Sequence, residues 1–178
     1  MEQTVTTPNP GATAASSAVA ALGDAVNDVR IFRDEVTLIT TKARVVEVLT
    51  YLRDSQNFDM LTDETCVDYL PKEPRFGILY QVYSTSRNIR VRVKVMLSEY
   101  DRSIATATGV YRAANWLERE IYDLFGINFE GHPDLRRIMM PPGWEGHPLL
   151  KENPVKVEEV AFTFNRERVD ADKPRAQE

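Results

Sequence analysis

Three carboxylates and one imidazole lie close enough in the chain for proton-transfer chemistry. Glu118, Glu120 and Asp123 fall within two helical turns of one another, and His132 follows nine residues after Asp123. A carboxylate–histidine pair of this kind can act as a general acid and base. The same stretch holds Arg119, Arg136 and Arg137, so three acids face three arginines. Charge neutralisation inside the motif therefore competes with catalysis and is the favoured reading. Removing one partner from such a network, once partly buried, costs about 3–5 kcal/mol.

Other chemistries lack their residues. The chain has one cysteine, Cys66, and two histidines, His132 and His147. It cannot supply the several thiolates or imidazoles of an iron–sulfur or structural zinc site by itself. Cys66 lies in an apolar run and reads as a small buried filler. Each histidine sits in a Gly-His-Pro step, which favours a turn, so each imidazole is expected to fix that turn by a hydrogen bond. There is no glycine-rich nucleotide loop, nucleophile elbow or HExxH helix.

The elements that must hold these residues can be read around them. Asn115 is a suitable N-cap with Glu118 three residues on, the spacing of a capping box. Leu117, Ile121, Leu124 and Phe125 then repeat at helical spacing, and Gly126 stands where a left-handed C-terminal residue is usual. After it, Gly131, Pro133, Pro141, Pro142, Gly143, Gly146 and Pro148 exclude a long regular element. Yet Ile127, Phe129, Leu135, Ile138, Met139, Met140, Trp144, Leu149 and Leu150 are too apolar for a solvated linker. Part of their cover is expected from another chain.

Upstream, Met1–Ser17 is rich in Ala, Thr, Ser and Pro with almost no charge, and reads as a disordered tail. Ala18–Val26 suits a short helix. Val29–Arg33 and Val36–Thr40 read as a hairpin turning at Asp34-Glu35. Lys42–Ser55 reads as a helix capped by Thr41, and Thr65–Leu70 as a strand. Arg75–Tyr83 and Ile89–Leu97 are strands flanking a polar turn. In the second, Ile89, Val91, Val93, Val95 and Leu97 alternate with Arg90, Arg92, Lys94 and Met96. That pattern gives one buried and one basic, solvated face. Strand runs separated by helices predict an α+β fold, a two-layer domain with a mostly antiparallel sheet covered by helices. The expected division is a tail at 1–17, the α+β domain at 18–125, and an irregular partner-binding extension with a C-terminal arm at 126–178. Within that arm Val155–Phe164 reads as extended and Asn165–Glu178 as mobile.

With 178 residues, 43% of them hydrophobic, and a net charge of -5, the chain suits one soluble domain with extensions and gives no reason to expect nucleic acid. No apolar run approaches the ~20 residues that span a bilayer. The start lacks the pattern of a signal or transit peptide, and a bacterial cytoplasmic chain is the simplest expectation.

One resemblance is specific. Glu118-Arg119-Glu120, Tyr122-Asp123-Leu124-Phe125-Gly126, Phe129, Gly131-His132-Pro133-Asp134-Leu135-Arg136-Arg137-Ile138, Pro141, Trp144 and Gly146-His147-Pro148-Leu149 together resemble the thirty-kilodalton subunit family of respiratory complex I, the C subunit of the bacterial enzyme. Asp68-Tyr69 and Arg75-Phe76 extend the likeness, which covers about Leu22 to Pro154. The chain departs from the family's pattern at Leu150, where an Arg is usual, and at Glu152, where an Asp is usual. The region before Asn115, where a Pro is frequent, reads Arg112-Ala113-Ala114.

The resemblance implies a non-catalytic subunit of the peripheral arm of the proton-pumping NADH:quinone oxidoreductase. Such a subunit packs on the forty-nine-kilodalton subunit (the D subunit of the bacterial enzyme) beside the iron–sulfur subunits, on the cytoplasmic side of the bacterial inner membrane. FMN, iron–sulfur clusters and quinone belong to the complex, with none bound by this chain, and membrane association comes only through the complex. The implied motif and partner-binding residues are Glu118, Arg119, Glu120, Asp123, Phe129, His132, Asp134, Arg136, Arg137, Trp144 and His147. Phe129, Arg136, Arg137 and Trp144 have the aromatic and arginine character of interface anchors. Two alternatives stand beside this reading. One is the same role in a ferredoxin- or F420-dependent quinone reductase or a membrane-bound hydrogenase. The other is an independent enzyme using Glu118 or Glu120 with His132.

Overall fold

A computed structural model describes residues 10–141, 143–153 and 166–168. The chain runs through α1 (Pro10–Leu22), a short 3-10 turn (Gly23–Ala25), β1 (Asp28–Phe32), β2 (Glu35–Thr40), α2 (Val45–Gln56) and β3 (Met60–Asp68). It continues through β4 (Phe76–Ser84), β5 (Ile89–Leu97), β6 (Ser103–Ala105), α3 (Ala114–Phe125) and β7 (Asn128–Glu130). Five strands form one sheet in the order β1-β2-β5-β4-β3, and β6 and β7 form a separate pair. Within the large sheet only β2 and β5 are parallel; the other pairs are antiparallel. The architecture is α+β, as the alternation of strand and helix patterns predicts.

The period of two in β5 decides the layering. Val91, Val93, Val95 and Leu97 are buried, facing the same layer as Phe76, Ile78, Tyr80 and Val82 of β4. Helices α1 and α2 pack over β5, and α3 packs over β3. The basic residues of β5 occupy the opposite face. There Arg90 is exposed, Arg92 pairs with Glu35 at 3.0 Å, and Lys94 donates to the Tyr69 hydroxyl at 2.9 Å.

Several sequence expectations shift, each for a local reason. Residues 10–17, expected in the disordered tail, are helical: the Ala-rich run has high helix propensity, and Ala14, Ala15 and Ala18 bury their small faces in the core. The hairpin turns at Arg33-Asp34, one residue earlier than expected. Both have positive φ, 49° and 67°, which suits a two-residue turn matched to the strand twist. Helix α2 begins at Val45 rather than Lys42. The Thr41 carbonyl accepts the Arg44 N–H at 3.1 Å in a preceding turn, and no side chain among the described residues caps the helix.

Asn115 does not cap α3. The helix starts at Ala114 after Ala113, which has no side chain to cap it, and Glu118 is drawn inward to other partners instead of reaching back. The segment after α3 also belongs to the domain at first: Ile127 and Phe129 lie in the main core, and Phe129 stands opposite Ile104 in the β6–β7 pair. Two three-residue strands carry no legible periodicity, so this pair left no trace in the pattern. The expected extended arm at Val155–Phe164 lies outside the described residues, as does most of Asn165–Glu178.

Candidate functional site

Helix α3 grips the irregular segment that follows it. Its amphipathic pattern puts Ile121 and Phe125 into the core, and Gly126 ends it in the left-handed region at φ 74°. Past that reversal the chain runs back along the helix, so residues 136–147 can be held by side chains from α3.

Asp123 is the centre of that grip. One carboxylate oxygen, Oδ2, accepts the N–H groups of Ile138 (3.0 Å), Met139 (2.7 Å) and Met140 (2.8 Å). The other accepts from Arg137 Nη1 at 2.7 Å. The Asp123 backbone carbonyl accepts from Arg137 Nη1 at 3.2 Å and from His147 Nδ1 at 2.9 Å. Arg137 donates onward to the Gly146 carbonyl at 2.9 Å. Asp123 has no exposed surface. Burial pushes its carboxyl up, but the three N–H donors and Arg137 outweigh that, and the net shift is downward.

Arg119, one turn earlier, holds the other polarity of the same loop. It donates to the carbonyls of Arg136 (3.1 Å) and Arg137 (3.3 Å), and its guanidinium lies over the Trp116 ring at 5.2 Å. Successive peptides are thus fixed by opposite charges, carbonyls 136–137 by Arg119 and amides 138–140 by Asp123. The two side chains share a task without pairing with each other among the described ion pairs.

The histidines lock two turns. His132 Nδ1 accepts the Asp134 N–H at 3.0 Å, so Nε2 carries the proton and donates to the Asn115 carbonyl at 3.1 Å. His147 must carry its proton on Nδ1, because its partner there is the Asp123 carbonyl. The His147 ring also fills the space beside Gly126. A Cβ at 126 would lie 2.6 Å from its Cδ2, so glycine is required for contact as well as for φ.

Glu118 points into the interior. It accepts the Ala107 N–H and the Thr106 hydroxyl, each at 2.5 Å, and stands 3.8 Å from His132 Nε2. Burial pushes its carboxyl up to about 7, against the pull of those two donors. This is the carboxylate–imidazole pair that the sequence offered for acid–base chemistry. Both side chains are 0% exposed, closed off from solvent in this structure.

The remaining motif residues divide between inside and outside. Phe129 is buried in this chain's own core, so it does not serve as an interface anchor. Arg137 is committed to Asp123 and Gly146. Arg136 is exposed and pairs with Asp134 at 2.9 Å; Trp144 is half-buried, and Glu120 is exposed. Trp116, Ile138, Met139 and Leu149 are exposed large apolar residues around α3 and its loop.

A second clamp, whose residues the sequence suggested without a role, secures the end of the segment. Arg75 is 1% exposed and donates to both Asp68 oxygens at 2.9 Å and 2.6 Å, to Glu99 at 2.8 Å, and to Glu152. The Lys151 N–H reaches Asp68 at 3.0 Å, and the Leu149 N–H reaches the Leu124 carbonyl at 3.1 Å. Arg75 holds the Asp68 carboxyl well below its ordinary range. Leu150 packs against the core, and Glu152 lets the longer acid reach Arg75. Cys66 is buried, and burial pushes its thiol up to about 12. Among the described residues no group of His, Cys, Asp and Glu could hold a metal ion, and no helix is long and apolar enough to cross a membrane.

Comparison with known proteins agrees on one family. Residues 38–159 match the family of the respiratory-chain NADH dehydrogenase 30 kDa subunit. The C subunit of NADH-quinone oxidoreductase from Roseiflexus sp. (strain RS-1) is 45% identical over 161 residues, 89% of this chain and 92% of that one. The subunit of the same name from Geobacter sulfurreducens is 48% identical over 130 residues, 72% of this chain and 80% of that one. Among solved structures, the trypsin-resistant fragment (1–134) of Nqo5 is 30% identical with a TM-score of 0.62, covering 70% of this chain and 99% of that one. A chain of the archaeal membrane-bound sulfane sulfur reductase, a respiratory membrane complex, shares the fold at 18% identity, with a TM-score of 0.71 and 95% and 96% coverage. The chain belongs to the family of the respiratory-chain NADH dehydrogenase 30 kDa subunit.

Proposed function

We infer that this chain is a scaffolding subunit of the peripheral arm of proton-pumping NADH:quinone oxidoreductase, packing on the forty-nine-kilodalton D subunit and carrying no catalytic residue of its own. Family membership makes it a subunit of complex I; the neighbour and the scaffolding role are the proposal. One observation carries it. The polar residues of the motif are spent on one another, with Arg119, Asp123, Arg137 and both histidines holding a loop, while large apolar groups stand outside. Trp116 is 61%, Met139 60% and Leu149 51% exposed. A rigid loop with exposed aromatic and aliphatic groups is what an obligate interface requires, and such interfaces bury about 2,000 Å² or more.

In this reading FMN, the iron–sulfur clusters and quinone are held by other subunits. The chain sits on the cytoplasmic side of the bacterial inner membrane and reaches that membrane only through the complex. A respiratory membrane complex of another kind offers the same fold, as the sulfane sulfur reductase chain illustrates. The NADH-dependent assignment is preferred because relatives at 45% and 48% identity carry that name.

The test is affinity purification of the tagged chain from gently solubilised membranes, with mass spectrometry of the co-purifying proteins and cross-linking to identify its neighbour. A flavoprotein, iron–sulfur subunits and a cross-link to the D subunit are expected. A solitary chain would overturn the reading, and the same set without an NADH-binding flavoprotein would reassign the donor.

A further inference from the structure

We propose that the cleft between α3 and the outer edge of β3 receives an arginine or lysine side chain from a partner subunit. This rests on the subunit reading above and says where, and by what chemistry, one contact is made. Strand β3 is the last of the five-stranded sheet, so its far edge carries no strand among the described residues. Helix α3 lies beside it and leaves a cavity of about 250 Å³, with Leu149 at its rim. A water takes about 30 Å³ of the liquid, so the space suits one long side chain or several waters.

The lining has one sign. Asp63 and Glu64 come from β3 and Glu120 from α3, and among the described residues no Lys, Arg or His lines the cavity. Elsewhere around α3 the acids have their donors: Asp123 takes Arg137 and three N–H groups, Glu118 takes Ala107 and Thr106, Asp134 takes Arg136. The acids of the cleft differ. Glu64 is 3% exposed, and neither of its carboxylate oxygens has a hydrogen-bond partner among the described residues. Tyr80 stands opposite it in register, and its hydroxyl is the donor that faces the carboxyl and eases its burial, but the two form no hydrogen bond of ordinary geometry. A buried carboxyl whose oxygens make no hydrogen bond of ordinary geometry is costly and calls for an explanation. Burial and the nearby Glu118 carboxylate push Glu64 upward, and a cation placed beside it would pull it back down.

The rest of the lining suits the stem of such a side chain. Ile121, Leu124 and Phe125 give an apolar wall from α3, and Leu149 is half-exposed at the mouth. Arg and Lys bury an aliphatic stem along apolar surface while their charged heads meet acids. Exposed Trp116 and Met139 lie on the same helix and loop, so the contact continues into the apolar surface already described.

The experiment uses the full tagged chain in cells. A photoreactive benzoylphenylalanine replaces Thr65, which lines the cleft, and gently solubilised complex is irradiated. In parallel, Glu120→Lys reverses the charge at the rim, with Glu145→Lys as a matched exposed control. The expected results are a cross-link to one partner subunit beside an Arg or Lys, and an assembled fraction about tenfold lower for Glu120→Lys than for Glu145→Lys. The purified Glu120→Lys chain should melt like wild type, because Glu120 is exposed. Cross-links confined to this chain, or equal assembly of the two lysine variants, overturn the cleft while leaving the subunit reading intact. A pull-down containing no oxidoreductase subunit overturns the subunit reading, and the cleft with it.

Discussion

Asp123→Asn tests whether a single carboxylate fixes the loop. The amide has the shape of the carboxylate but one acceptor and one donor. If its oxygen takes the position of Oδ2, its NH₂ faces Arg137 Nη1, donor against donor, where the carboxylate now bonds at 2.7 Å. If it is reversed, the NH₂ faces the N–H groups of Ile138, Met139 and Met140. Charge-assisted hydrogen bonds contribute about 1.5–3 kcal/mol each, and breaking a buried pair on one side costs about 3–5 kcal/mol. The first orientation keeps three acceptor contacts, so the expected loss is near the lower end, about 3 kcal/mol.

A domain with roughly 5–15 kcal/mol of stability survives that, but its loop need not. Trypsin reads the loop directly, because Arg136 and Arg137 lie within it and their carbonyls are held by Arg119. When opening is fast, cleavage follows the open population, so about 3 kcal/mol becomes roughly a hundredfold faster cutting there. Asp134→Asn, which removes only the exposed pair with Arg136, should change the rate by fivefold or less. The pH dependence has a definite sign. The folded carboxyl titrates below its unfolded value of about 3.9, so its contribution is present above that pH and is lost as pH falls through the folded value. Urea unfolding of the two chains should therefore converge at acid pH. A rate change below about threefold, or a stability gap that persists in acid, would refute the central role of Asp123.

Gly126→Ala should cost about 2–4 kcal/mol in urea unfolding, from left-handed strain and from displacing the His147 ring; a loss under about 1 kcal/mol would mean the ring moves aside freely. Glu118→Gln should flatten the pH dependence of stability. The raised carboxyl makes the folded chain hold an extra proton between about 4.3 and about 7, so wild-type stability falls as pH rises through that window. Urea midpoints from pH 5 to 7.5 decide it, and an unchanged slope would place the proton on another group. Arg75→Met should destabilise by about 3–5 kcal/mol and free residues 150–152; hydrogen exchange unchanged at Lys151 would contradict the clamp.

The clearest sequence signals were those with a period. The alternation of Val91, Val93, Val95 and Leu97 fixed β5, its buried face and the α+β class, and the α3 stripe of Ile121 and Phe125 fixed the helix that carries the motif. Signals that depend on tertiary partners were not legible. Asn115 and Glu118 have the spacing of a capping box, but Glu118 finds its donors at Thr106 and Ala107, twelve and eleven residues upstream. The Ala-rich start resembled a disordered tail because composition does not show the surface on which Ala14 and Ala18 pack. Arg75 and Asp68 bear no sequence mark of their partnership with Glu152, which lies 77 residues from Arg75. Glu64 reads as an ordinary strand acid until its burial is seen.

The motif's density of charge now has a physical account. An irregular segment cannot satisfy its own backbone as a helix or sheet does, so donors and acceptors must come from side chains. Arg119 supplies donors for two carbonyls, Asp123 accepts from three amides, and the histidines take the turn groups between them. With the backbone satisfied from beneath, the loop's apolar side chains are left to project outward. Ile138 and Met139 show the consequence: their amides are fixed to Asp123 while their side chains are exposed. Residues with catalytic chemistry in their side chains thus hold backbone in place, and the part of the same motif left exposed is its apolar remainder.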